Sequence, residues 1–78
     1  MVGRIIPVNR VAEDDESVTY AWGFPEINRS ARLMKRSTTV EPGPDTTLDE
    51  AVFIRDWVHQ VRQLNEMAGY PAEAPLYG

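Results

Sequence analysis

The chain has 78 residues, 42% of them apolar, with a formal net charge of −4, so it has room for one domain and enough apolar material to pack it. It contains no cysteine, which excludes disulfides, thiolate catalysis and zinc–sulfur sites together. The negative balance disfavours broad binding to nucleic acid, and no stretch approaches the ~20 apolar residues of a membrane span.

Arg4 to Val11 carries a weak strand pattern interrupted by Pro7. Proline donates nothing to a ladder, so this strand is expected at an edge or beginning after Pro7. Ala12 to Ser17 reads as a solvated hairpin connection. In Val18-Thr19-Tyr20-Ala21-Trp22-Gly23-Phe24 every even position is large and apolar. Strand geometry sends all four to one face, whereas a helix would scatter them. Gly23 marks a bulge or a close backbone approach. After a turn over Glu26 to Ser30, residues Ala31 to Val40 read as a third strand, poorly alternating and prone to break near Arg36-Ser37. Glu41-Pro42-Gly43-Pro44-Asp45 forms a rigid crossover loop.

Thr47-Leu48-Asp49-Glu50 has the form of a capping box, with Thr47 and Glu50 each accepting from the other's backbone amide. Ala51, Ile54, Trp57, Val58, Val61, Leu64 and Ala68 follow at three- and four-residue steps, a stripe flanked by Phe53. Gly69 is placed to end this helix in the left-handed conformation, Tyr70 to fold back on it, and Pro71 to block its continuation. The expected fold is α+β: a short antiparallel three-stranded β-meander, β-β-β-α, packed against one C-terminal helix. Residues 1–70 form this domain, and 71–78 an extended, mobile tail.

The residues offer little chemistry. His59 is the only histidine and falls on the polar side of the helix, the position of a surface residue rather than of a base. Glu13, Asp14, Asp15 and Glu16 share one wet loop, so their pKa values are not driven apart as acid–base work requires. Their spacing also lacks the alternation and central glycine of a calcium loop. Arg29, Arg32, Lys35 and Arg36 bring half of the basic residues into eight positions with no acid among them. That segment is either an edge strand protected by charge or a surface for phosphate or an acidic partner. No glycine-rich phosphate loop accompanies it.

The residues therefore predict no enzyme, no cofactor, no metal, no evident small-molecule substrate, and a cytoplasmic location away from membranes. The leading expectation is a small non-catalytic protein-interaction module, an accessory, regulatory or inhibitor-like subunit with a protein partner or a second copy of itself. The acidic loop and the basic segment are its candidate contacts. The alternative is a nucleic-acid-associated module that binds phosphate through Arg29 to Arg36.

Overall fold

In the computed structural model, which describes residues 5–23 and 26–77, six strands and one helix follow one another along the chain. They are β1 (Ile5–Ile6), β2 (Val8–Glu13), β3 (Ser17–Trp22), β4 (Arg29–Met34), β5 (Val40–Pro42), α1 (Leu48–Leu64) and β6 (Leu76–Tyr77). β2, β3, β4 and β5 form one antiparallel sheet in that order, while β1 pairs with β6 in a separate two-stranded ribbon. The protein is thus α+β, with one helix after the main sheet.

The alternation in β3 behaves as strand geometry requires. Val18, Tyr20 and Trp22 turn their side chains into the core, facing Leu33, Ala31 and Arg29 across the β4 register. Phe24, the fourth residue expected on that face, lies outside the described residues. Val40 opposite Leu33 and Val8 opposite Trp22 extend the apolar layer to both outer strands. Ala51, Ile54 and Val58 of α1 close it from above.

The third strand expected over Ala31 to Val40 is in fact two. Residues 35–39 are polar and turn back on themselves: Ser37 Oγ accepts from the Thr39 amide at 3.2 Å, and the Met34 amide donates to the Thr39 carbonyl at 3.1 Å. Such serine turns compete with a ladder. The sheet gains β5 and is four-stranded rather than three-stranded. β5 is short and ends on Pro42, which blunts that edge against further pairing.

β2 starts after Pro7 and lies at the opposite side of the sheet. Its register slips between Arg10 and Ala12, leaving Val11 as a bulged, exposed residue. Gly23 sits at φ +152°, and a Cβ built there would come within 2.0 Å of the Glu26 carbonyl oxygen. Only glycine fits this turn out of β3.

The capping box forms as expected: Thr47 Oγ1 accepts from the Glu50 amide at 3.1 Å, and Glu50 Oε1 accepts from the Thr47 amide at 3.2 Å. The other end differs. The helix stops at Leu64, and Glu66, not Gly69, takes the left-handed conformation at φ +51°. Glu66 N donates to the Gln63 carbonyl and Met67 N to the Arg62 carbonyl, the paired bonds of a Schellman cap. The early stop leaves Leu64 at 71% exposure and Ala68 outside the helix, so the packed stripe is Ala51–Ile54–Val58 with Trp57 and Val61 on its flank. A side chain in the left-handed region costs roughly 1 kcal/mol or more. Glu66→Gly is therefore expected to raise stability by about 0.5–1 kcal/mol in urea denaturation, after the backbone entropy that glycine loses. Gly69→Ala should also raise it, by about 0.4–1 kcal/mol, because a Cβ there meets nothing within 4 Å and the unfolded chain loses freedom.

The segment expected to be a mobile tail is extended, and it is tied down. The Arg10 amide donates to the Ala72 carbonyl and the Ala74 amide to the Val8 carbonyl, both at 2.9 Å, before β6 reaches β1. We call residues 71–77 the arm. It covers the outer edge of β2 and contributes the buried Ala74 to the core.

Candidate functional site

The two charged segments singled out in the sequence meet at one end of the sheet. The β2–β3 turn and the β4–β5 turn are neighbours, joined by the Lys35 amide donating to the Glu16 carbonyl at 2.9 Å. Lys35 Nζ lies 2.7 Å from Glu13 Oε2, and Arg10 Nη1 lies 3.3 Å from Glu13 Oε1. The Lys35 hydrogen bond is the main reason the Glu13 carboxyl is held below the ordinary range. Asp14 has a local role: its Oδ1 accepts from the Glu16 amide at 2.8 Å and the Ser17 amide at 2.7 Å. These backbone donors lower its pKa and shape the turn.

The remaining cations separate. Arg32 is on the helix-free face of the sheet, 3.6 Å from Glu41 on the neighbouring strand. Arg29, at the far end of β4, has its Nε 2.8 Å from Glu50 Oε2 of α1, but the N–H points off the oxygen and makes no hydrogen bond. The contact is an ion pair by proximity, partly exposed, and such pairs contribute little. Asp15, Glu16 and Arg36 are exposed and have no side-chain partner among the described residues. Arg29, Arg32 and Lys35 each have an acid beside them, so the basic segment does not form one unopposed cationic patch. The helix-free face, with Thr19, Ala21, Ser30, Arg32 and Met34, carries no aromatic residue, while Tyr20 and Trp22 face the helix. Among the described residues, that face therefore offers no aromatic platform for base stacking.

The structure brings together a different set of residues. Where the β1–β6 ribbon meets α1, Ile6, Trp22, Ile54 and Leu76 form the floor and walls of a notch of about 220 Å³. Phe53 stands at its side and the Arg29–Glu50 pair on its rim. Phe53, with Ile5 and Tyr77 on the outer side of the ribbon, is more than half exposed. The signals for this corner were dispersed: Phe53 reads as a flank of the helix stripe, and Ile5 and Tyr77 are 72 positions apart yet pair in register. Two further hollows lie on the outer face of α1 and are lined chiefly by polar side chains such as His59, Gln60 and Gln63.

His59 is half-buried rather than fully at the surface. Its Nδ1 is 3.2 Å from Arg62 Nη1, and its ring meets the Tyr70 ring edge-on with centroids 6.1 Å apart. Burial, with Arg62 and Arg55 adding to it, moves the His59 pKa below its usual value. No hydroxyl or carboxylate is bonded to it among the described residues. Tyr20, its hydroxyl buried and donating to the Pro71 carbonyl at 2.6 Å, is pushed up to about 12 by burial. Tyr20 is therefore not poised for proton transfer near neutrality. Among the described residues no group of three or more His, Asp or Glu side chains could hold a metal ion. No helix there is long and apolar enough to cross a membrane.

Comparison with protein families, with curated proteins and with solved structures finds no match to this chain.

Proposed function

We propose that the protein is a small non-catalytic interaction module that grips a partner protein at the apolar corner formed by Phe53 and the β1–β6 ribbon. The observation that carries this reading is the notch lined by Ile6, Trp22, Ile54 and Leu76, with exposed Phe53 at its side. An open apolar concavity with an exposed aromatic beside it is the form of an anchor site for a partner side chain. Size decides between ligand classes. Sites for drug-sized molecules and cofactors span roughly 300–1,000 Å³, and a cavity of about 150 Å³ already accepts a benzene ring. At about 220 Å³ the notch suits one aromatic or branched aliphatic side chain.

Charge selects what surrounds that anchor. Asp49, Glu50 and Asp56 lie one helical turn from Phe53; Glu50 is beside Arg29 and Asp56 beside Arg55, so Asp49 and the net charge of −4 supply the acidic bias. The occupant is a partner segment with a large apolar residue flanked by Lys or Arg. The nucleic-acid reading has less support, since Arg29, Arg32 and Lys35 are each beside an acid and no aromatic lies on the open face.

The test is binding of the full-length chain to an array of peptides, each with one central Leu, Phe or Trp flanked by Lys/Arg or, as controls, by Glu. Basic-flanked peptides should bind. Phe53→Asp should weaken them roughly 30-fold, the 2 kcal/mol scale of an anchor residue. Absence of binding to any basic-flanked peptide, or equal binding by Phe53→Asp, overturns the proposal.

A further inference from the structure

The arm reaches β2 through a joint, residues 65–70, that is exposed except at Tyr70. Downstream, the arm is held by backbone bonds to Val8 and Arg10, by Tyr20 Oη on the Pro71 carbonyl, and by the Trp57 indole N–H donating to the Ala74 carbonyl at 2.8 Å. The joint itself is held by one side chain above all. Arg62 donates through Nε to the Gly69 carbonyl at 2.9 Å and through Nη2 to the Ala68 carbonyl at 3.1 Å, and its guanidinium lies 4.1 Å from the centre of the Tyr70 ring. Arg10 Nη1 supports it from β2 by donating to the Tyr70 carbonyl at 2.8 Å.

Arg62 is in turn oriented by His59. With Nη1 and Nδ1 at 3.2 Å, the contact is a hydrogen bond only while Nδ1 is unprotonated and accepts. A proton on Nδ1 sets two donors and two cations against each other at that distance. The surroundings offer limited relief. On the same helix Arg55 adds positive charge and Asp56 offsets it, while Glu66 of the joint lies beside the pair on the outer surface. From the β4–β5 turn Lys35 approaches the Tyr70 ring at 5.8 Å, with Glu13 of β2 as its own counter-ion.

We propose that His59 and Arg62 form a proton-operated latch on the C-terminal arm. With His59 neutral, Arg62 clamps the joint and the arm covers β2. When His59 takes up a proton the pair repels, the clamp loosens, and residues 71–77 leave the β2 edge. Departure frees the Val8 carbonyl and the Arg10 amide, an unpaired strand edge open to another extended segment. The direction with pH follows from linkage. Burial, with Arg62 and Arg55 adding to it, holds the His59 pKa below its ordinary 6.5. Tyr70 of the joint packs on the His59 ring, so opening the joint relieves part of that burial and the open state binds the proton more readily. Latching is complete above the ordinary value and is lost as pH falls through 6.5 toward the lower, latched value. Glu13 and Asp14 titrate in the acid range below this window.

The experiment is a pH titration of the full-length chain from 7.5 to 5.0 by ¹H–¹⁵N NMR, with amide protection corrected for intrinsic exchange. Protection at Arg10 and Ala74 should fall on the order of tenfold for each unit by which latching lowers the His59 pKa. The Trp57 indole signal should move with the same midpoint, while the β3 amide of Tyr20 stays protected. His59→Gln, neutral throughout, should remove the transition. Arg62→Gln should return the His59 midpoint toward the ordinary value. A wild-type arm unaffected while the His59 ring titrates, or a transition that persists in His59→Gln, overturns the latch.

Discussion

Replacing Leu33 with alanine is expected to cost about 2–5 kcal/mol, the range for emptying a fully buried leucine site. Leu33 is 1% exposed, sits opposite Val18 on one side and Val40 on the other, and faces the helix stripe. A site enclosed from three elements cannot collapse onto the void, so the upper part of the range applies. A chain of this length commonly has a total stability on the order of 4–12 kcal/mol. The substitution therefore removes a large share of it. With m about 1.5 kcal/mol/M, the urea midpoint should fall by roughly 3 M. Arg32→Ala, one residue away on the open face, removes only a partly exposed ion pair and should shift stability by less than about 1 kcal/mol. Equal effects at the two positions would mean that the helix does not cover the Leu33 face.

Tyr20→Phe is expected to cost about 1–3 kcal/mol although the ring stays in place. Its hydroxyl donates to the Pro71 carbonyl at 2.6 Å in a buried setting, and the phenylalanine leaves that carbonyl without its donor. The damage should be concentrated in the arm. Amide exchange at Ala74 should accelerate more than exchange at Leu33, because the core side of Tyr20 is unchanged. Trp57→Phe deletes the second side-chain bond to the arm, the indole N–H to the Ala74 carbonyl. The two substitutions share one element, so their combined cost should fall short of the sum. A neutral Tyr20→Phe would show that this hydroxyl does not hold the arm, and full additivity that the two bonds act independently.

Both results would bear on the latch as well as on stability. The latch requires the arm to be the least stable element on a more stable sheet, the part of a fold from which moving pieces are drawn. Its hold on the joint depends on Arg62, and Arg62 depends on a neutral His59. The corner at Phe53 is on the same side of the molecule, since Leu76 of the arm lines the notch. Release of the arm would therefore reshape the proposed contact surface. The peptide and pH experiments separate the two ideas, one reading affinity at Phe53 and the other protection at Arg10.

Local chemistry alone determined the start of the helix and the face of the central strand. The capping box is complete within Thr47 to Glu50, and the Val18–Tyr20–Trp22 alternation needs only the two-residue period of a strand. The tertiary structure decided the rest. The helix ends at a left-handed Glu66 while a nearby glycine goes unused, a choice settled by the clamp that Arg62 places on Ala68, Gly69 and Tyr70. The serine turn divides an expected long strand and brings Lys35 to Glu13, so that two charged segments that read as separate contacts meet through one ion pair, while Arg29 and Arg32 turn to other acids. The arm and its joint are held by groups 51 and 60 positions away, Tyr20 on Pro71 and Arg10 on Tyr70. Periodicity and capping act over a few residues, whereas these pairings exist only once the chain has closed loops of that length. No local pattern encodes which partners such a loop will bring together.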